Sequence, residues 1–397
     1  MWTGRHVVLG VSGGIACYKS CFLARRLTEA GARVDAVLTA GAAEFVRPAT
    51  FEALTGRPVL TSLWEPGRAL DHIRLARESD LVIVAPATAH LLARMAQGLA
   101  DDSLTALLLA RRGPVLVAPA MNDAMFAAPA TARNLVLLRA RGVGVVGPAT
   151  GALAEGPSDQ PGRMSEPETI LHHATRLLRA GGPLAGKEVI VTAGPTREPL
   201  DPVRIVTNRS SGKMGFRLAQ AAWYRGASVR LITGPSAEPA PEGVTLERIE
   251  TTEELERAVA AALPSADVLI MAAAPADFRP AHADATKRPR QGGAMHVEFE
   301  PTTDILAATR DRRKPGGLVV GFALETGDAV AKGRAKLTRK ALDLIVVNDA
   351  LEPGAGFEGD TNRVTILGSG GAHWEVPLAS KSSVAESILD RVEAALV

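Results

Sequence analysis

The segment VVLGVSGGIACYKS (Val7–Ser20) decides the fold of the first half of the chain. An apolar, β-branched run breaks at glycines and passes directly into residues with helical spacing. A parallel α/β sheet uses such a break to bring backbone N–H groups and a helix N-terminus to an anionic ligand. A second segment, EVIVTAGPTREPLDPVRIVTNRSSGKMGF (Glu188–Phe216), repeats the design with different residues around it. Two such openings predict two sites and two reactions.

Outward from the first segment, strand-like runs at 6–10, 33–39, 80–85, 115–118 and 143–147 alternate with helical patterns at 15–30, 88–97 and 127–141. That alternation predicts a doubly wound, mainly parallel sheet. Residues 148–166 are rich in Gly, Pro and polar side chains and read as a long loop of functional character, followed by a helix at Pro167–Ala180. After the linker Ala180–Lys187 the pattern restarts. Strands are expected near 188–192, 228–233, 267–273, 318–322 and 343–347, with helices near 212–226, 252–263, 328–341 and 381–396. The polar stretch 276–303 reads as a flap. The expected domains are 1–182 and 187–397, both α/β.

Bulk properties remove several function classes. A chain of 397 residues exceeds a typical single core, so two or three domains are expected. The 45 basic and 43 acidic residues leave a net charge of +2, and aromatics are only 4%. Neither the charge nor the stacking surface of a nucleic-acid binder is present. Cys17 and Cys21 lie one helical turn apart, a poor disulfide geometry, and read as small core residues in a reducing cytoplasm. The apolar run after Arg5 and His6 is broken by three glycines, so a first strand explains it better than a signal peptide. No run of about 18 apolar residues is available for a membrane span.

In the first half, Gly10, Ser12, Gly13 and Gly14 form a candidate phosphate loop, although the G-x-G-x-x-G spacing of a dinucleotide site is missing. Pro86, Ala87 and Thr88 stand at the carboxyl end of a buried strand, where open α/β sheets bind ligands. His72 lies in DHIRLARESD, and Asn122 reaches the same edge from VLVAPAMNDAMF. An amide placed there can grip a carboxylate. These motifs, with Gly162-Arg163-Met164, closely resemble the flavin-containing cysteine decarboxylases, in order across about 180 residues. The resemblance implies a flavodoxin-like domain that binds FMN through Ser12, Gly13, Gly14, Thr39, Pro86, Ala87, Thr88 and Ser103. It implies His72 as base or orienting residue, and Asn122 with Met125 as substrate contacts. The implied chemistry is oxidation of a cysteine moiety to a thioaldehyde, loss of CO2, and reduction of the resulting enethiolate beneath a lid at 150–164.

One departure stands out. The family's lid carries Ala-Cys-Gly, with the cysteine as final proton donor, whereas this chain has Ala154-Glu155-Gly156. Two readings follow: Glu155 is a donor whose pKa desolvation raises, or it is solvated and the reduction is slow or served by another group.

In the second half, Asn208, Ser210, Ser211, Gly212 and Lys213 follow a buried strand and form a candidate anion loop without P-loop spacing. Asp277 in AAAPADFRP stands ten residues before Lys287. Phe322 lies in GFALET, and Lys336 and Lys340 share one helical face. Residues 186–397 resemble the ligase half of a bifunctional decarboxylase–ligase family of coenzyme A synthesis, a Rossmann-like domain. The resemblance implies that CTP activates 4'-phosphopantothenate as an acyl-cytidylate, which the cysteine amine then attacks, with Mg2+ and lysines stabilising phosphate charge. Asn208 is implied for the acyl intermediate, and Asp277, Lys287, Phe322, Lys336 and Lys340 for the nucleotide. The flap reads Lys287-Arg288-Pro289-Arg290 where the family has Lys-x-Lys-Lys, which predicts altered kinetics with activity retained. Family likeness also implies a homo-oligomer, trimeric through the first half with flavin sites between subunits, and dimeric through the second. Rival readings are an active ligase fused to an impaired decarboxylase, and a regulatory flavoprotein.

Overall fold

Every residue of the first strand, β1 (His6–Val11), is buried, as an apolar run covered on both faces requires. It is joined by β2 (Arg33–Leu38), β3 (Leu81–Ala87), β4 (Val115–Pro119) and the short β5 (Gly144–Val145). The computed structural model describes all residues except Ala180, 288–294 and 350–358. Contacts divide the chain into two units, 1–179 and 180–397. In the first unit all five strands are parallel, in the order β2-β1-β3-β4-β5. That is the flavodoxin-like order, whose switch point lies between β1 and β3.

Helices cover both faces of this sheet. Leu23, Ala24 and Leu27 of the helix Cys17–Glu29 pack with Ile170 and Ala174 of the helix Pro167–Arg179 on one side. Leu91, Leu92, Leu104 and Leu107 fill the other. Gly10 admits this second layer: a Cβ there would stand 2.6 Å from Leu104 Cδ1.

The second unit contains β6 (Glu188–Ala193), β7 (Arg197–Pro199), β8 (Ile205–Thr207), β9 (Ser228–Thr233), β10 (Thr245–Arg248), β11 (Val268–Met271), β12 (Phe278–Pro280), β13 (Phe299–Pro301), β14 (Leu318–Glu325), β15 (Leu344–Asp349), β16 (Thr361–Gly368) and β17 (His373–Ser380). Eight of these form one sheet in the order β10-β9-β6-β11-β14-β15-β16-β17. The strands from β10 to β15 run parallel, and β16 and β17 close the edge antiparallel. Two small antiparallel ribbons, β7 with β8 and β12 with β13, stand apart from it. The second ribbon joins the two ends of the expected flap. Gly215 lets the helix Lys213–Tyr224 lie hard against β6, because a Cβ there would sit 2.5 Å from Ala193 Cβ.

Several elements exceed the sequence-based expectation. The helices Pro48–Thr55, Asp71–Glu78 and Ser103–Ala110 are each only two turns long, and SLTALLLA is apolar on nearly every side, so no helical period shows. The strands β10, β16 and β17 were not expected. β17 is largely exposed at the sheet edge and carries no apolar run.

Candidate functional site

In the first unit the loops after β1, β2 and β3 meet at the carboxyl edge of the sheet. The register between β3 and β4 shifts between Val84 and Ala87, so the Pro86 carbonyl leaves the ladder. Ser12 takes it up twice, donating through N at 3.3 Å and Oγ at 2.8 Å. The same hydroxyl accepts from Thr88 N at 3.0 Å. Thr88 in turn caps the helix Ala89–Gln97, its side chain accepting from Leu91 N. One serine thus ties two of the expected loops together.

Gly13 presses against the loop after β2. A Cβ on Gly13 would meet the carbonyl carbon of Gly41 at 2.6 Å. Among the described residues nothing accepts from the N–H groups of Gly13, Gly14, Ile15 or Ala16, which leaves four donors at the start of a helix. A cavity of about 540 Å3 opens here, with Gly13, Thr39, Gly41, Thr88, Arg94 and Met121 among its walls. Ser12, Gly14 and Met125 also line it. Its size is that of a small-molecule site. Arg94 is locked in the wall by Asp102, at 2.7 Å, and by Asp101. Burial pushes the Asp102 carboxyl up, but hydrogen bonds from Thr105 and Arg94 outweigh it and hold the group below the usual carboxylate range. Ser103, next in the chain, keeps a buried hydroxyl without a partner among the described residues.

Asn122 begins the helix Asp123–Ala127, its Oδ1 accepting from Ala124 N at 2.9 Å and Met125 N at 3.3 Å. Its Nδ2 donates to Glu155 Oε1. The structure therefore brings together two expected residues that lie far apart in sequence. Glu155 itself is exposed. His72 stands on the helix Asp71–Glu78 and is not among the residues lining the cavity. Its Nδ1 is buried and has no partner among the described residues. Cys17 and Cys21 are both free, and burial pushes both thiols up, as befits core residues.

In the second unit the switch point falls between β6 and β11, and the chain leaving those strands carries Asn208, Asp277 and Lys287, whereas Phe322 lies on β14, Lys336 on the helix that follows it and Lys340 at that helix's end. Pro195 bridges to Ala274. Asn208 donates through Nδ2 to Pro275 O at 2.8 Å, on the turn just before Asp277. Asp277 is exposed. Phe322, on β14 opposite Val346, is half-buried against the core. Lys336 pairs with Glu325 at 2.5 Å and Lys340 with Asp304 at 3.0 Å, so neither is an unpaired surface lysine. Lys287 is exposed and has no partner among the described residues. Arg288, Pro289 and Arg290 lie outside the described residues. Among the described residues no group of three His, Cys, Asp or Glu is placed to hold a metal ion.

Comparison with known proteins matches these two units to two families. Residues 1–179 match the Flavoprotein family, and residues 184–396 match the DNA/pantothenate metabolism flavoprotein C-terminal domain. The coenzyme A biosynthesis bifunctional protein CoaBC of Mycobacterium tuberculosis is 46% identical, covering 98% of this chain and 96% of that one. The protein of the same name from Bacillus subtilis is 43% identical, over 99% and 98%. The chain belongs to the coenzyme A biosynthesis bifunctional protein family. Among solved structures, the C-terminal domain of a CoaBC protein is 36% identical, with a TM-score of 0.46, and covers 54% of this chain and 98% of that one.

Sequence reasoning passed over Gly41, Arg94 and Asp102. A signal existed for Asp102, since Asp102-x-x-Thr105 is a reciprocal cap on the following helix. Gly41 gave none, because it meets Gly13 through backbone atoms that any residue carries.

Proposed function

We propose that this bifunctional enzyme of coenzyme A biosynthesis joins cysteine to 4'-phosphopantothenate at the expense of CTP in the second unit. The first unit then decarboxylates the product to 4'-phosphopantetheine with bound FMN. The observation that supports the reading is that Ser12, Gly13, Gly14, Thr39, Thr88 and Met125 line one cavity beside the first switch point, and that Asn208 meets the turn before Asp277 beside the second.

The first cavity fits FMN. Four unpaired N–H groups and the Gly13–Gly41 cradle suit a phosphate, Met121 and Met125 supply apolar wall for a ring system, and the Ser103 hydroxyl lacks a partner. FMN, when bound, supplies a two-electron hydride acceptor and donor. Ser12, Gly13, Gly14, Thr39, Pro86, Ala87, Thr88 and Ser103 hold it. Asn122 grips the carboxylate that leaves, and the lid at 150–164 excludes water. Glu155, already at Asn122, delivers the final proton. His72 acts as base or orienting residue from a neighbouring copy, in keeping with its absence from the cavity wall of its own chain.

In the second unit, Asn208 orients the phosphopantothenate carboxylate towards the nucleotide, and Asp277 and Phe322 position the nucleotide itself. Lys336 and Lys340 exchange Glu325 and Asp304 for phosphate oxygens, and Lys287 neutralises the reacting phosphate. With no acidic cage among the described residues, Mg2+ arrives on the nucleotide phosphates.

The exposure of Glu155 favours one second reading, a first unit that stops at the enethiol. Mass spectrometry of products from phosphopantothenate, cysteine and CTP, with each unit inactivated in turn, tests both. Saturated phosphopantetheine supports the full reaction, and accumulated enethiol supports the arrested one. If no CTP is consumed and no CO2 is lost, the assignment fails.

A further inference from the structure

Glu198 on β7 is 3% exposed, an unusual place for a carboxylate. Its Oε1 accepts from Thr252 N at 2.9 Å and from Thr252 Oγ1 at 2.7 Å. Thr252 opens the helix Thr252–Ala262, so the carboxylate sits at a helix N-terminus. Thr252 Oγ1 lies 2.9 Å from Thr196 Oγ1, and Thr196 Oγ1 accepts from Ala276 N at 2.8 Å. Thr196, Thr252 and Ala276 are all buried.

The chemistry of the ends fixes the direction of this chain. A carboxylate only accepts, so the Thr252 hydroxyl spends its proton on Glu198. It must then accept from the Thr196 hydroxyl, which leaves Thr196 Oγ1 as acceptor for the Ala276 amide. The run Ala276 N–H, Thr196 O–H, Thr252 O–H, Glu198 is one-directional, and such runs polarise one another. Its far end is the N–H of Ala276, the residue before Asp277. The same residue is held from its other side, because Thr302 Oγ1 donates to Ala276 O at 2.6 Å and Thr302 N to Asp277 O at 3.0 Å. Thr196 also accepts at its carbonyl from Thr207 Oγ1 at 2.7 Å, and Thr207 precedes Asn208. One residue therefore references both the Asn208 loop and the Asp277 loop.

We propose that Glu198, acting through Thr252 and Thr196, is a positioning residue of the ligase reaction that sets the Asp277 loop against Asn208 for nucleotide binding. The inference rests on the ligase reading above and adds residues outside the site. The three side chains are buried and hydrogen-bond to one another and to backbone, so they act through Asp277 and not on substrate.

The test uses the full-length protein and CTP. Thr252→Val keeps the shape and removes the relay, and Thr252→Ser restores the hydroxyl. The expected result is a rise of about tenfold in KM for CTP in the Val variant, the factor for one buried hydrogen-bond network broken, with recovery to within about twofold in the Ser variant. KM for cysteine stays within about twofold in both. Asp277→Asn combined with Thr252→Val should cost no more than the worse single change, since both act at one contact. If Thr252→Val does not fold, the pair Thr196→Val and Thr196→Ser carries the same comparison. A Val variant with the CTP KM of wild type, or a Ser variant no better than Val, overturns the relay while leaving the ligase reading intact. A wild-type protein that consumes no CTP overturns both.

Discussion

Gly13→Ala separates the proposed flavin cradle from an ordinary glycine loop. A Cβ at Gly13 would stand 2.6 Å from the carbonyl carbon of Gly41, with the Cα and O of Gly41 at 2.8 Å. All three are backbone atoms, so no side chain can rotate aside. Reaching ordinary contact requires the loops after β1 and β2 to part by about 0.8 Å. Overpacking of this kind costs about 1–3 kcal/mol, or about 2–12 °C in the melting temperature of a unit this size. The loss of FMN affinity should be about tenfold or more, because the same displacement misaligns the N–H groups of the cradle. Gly41→Ala supplies an internal control. It touches the same pair from the other side, but its Cβ lies 3.4 Å from Gly13 Cα, so about 0.5 kcal/mol or less is expected. Thermal unfolding of flavin-free protein, followed by flavin titration through fluorescence quenching, measures both effects. Equal melting temperatures for the two variants would refute the close-approach argument.

Four further outcomes are expected. Burial pushes the Asp35 carboxyl up, but hydrogen bonds from His6 and Arg57 outweigh it and hold the group below the usual range. Its contribution is full above the unfolded value of about 3.9 and is lost as pH falls through the lower folded value. Asp35→Asn should therefore flatten the acid limb of urea midpoints below about pH 4, and an unchanged limb would contradict this. Glu155→Gln should leave decarboxylation intact and let enethiol accumulate, and saturated product at the wild-type rate would remove Glu155 from the proton transfer. Lys287→Gln should slow the CTP-dependent reaction so that acyl-cytidylate is trapped on rapid quench, and wild-type turnover counts against its role. Arg225 is buried and donates to Glu386, Asp390 and Glu393. Arg225→Ala should cost the second unit about 3 kcal/mol by urea unfolding, near the lower end for a broken buried pair because Asp390 remains exposed.

The fold was legible where burial on both faces left continuous apolar runs. VVLGV, LVIVA, EVIVTA and LIVVND announce the inner strands of two parallel sheets, and the glycines after the first and third announce helix-opening loops. The edges were not legible. β16 and β17 close the sheet antiparallel, with most positions of β17 exposed at the rim, and the two-turn helix Ser103–Ala110 is too uniformly apolar to show a period. The same division runs through the sites. Motif residues could be named from the chain alone, because loops at strand ends are the places where such sheets bind ligands. The partners Glu325 and Asp304 of the two lysines could not.

By itself the sequence determined that there are two α/β units and which short motifs carry chemistry, since both are written in local spacing and in a likeness spread over the whole chain. Only the tertiary structure decided that Asn122 meets Glu155, that Gly13 backs onto Gly41, that His72 stays outside the cavity of its own chain, and that a buried Glu198 reaches the Asp277 loop through two threonines. Each of these is a contact between residues distant in the chain. Spacing along a sequence records which face of a helix or strand is apolar, but it carries no record of which loops the folded sheet brings to the same edge.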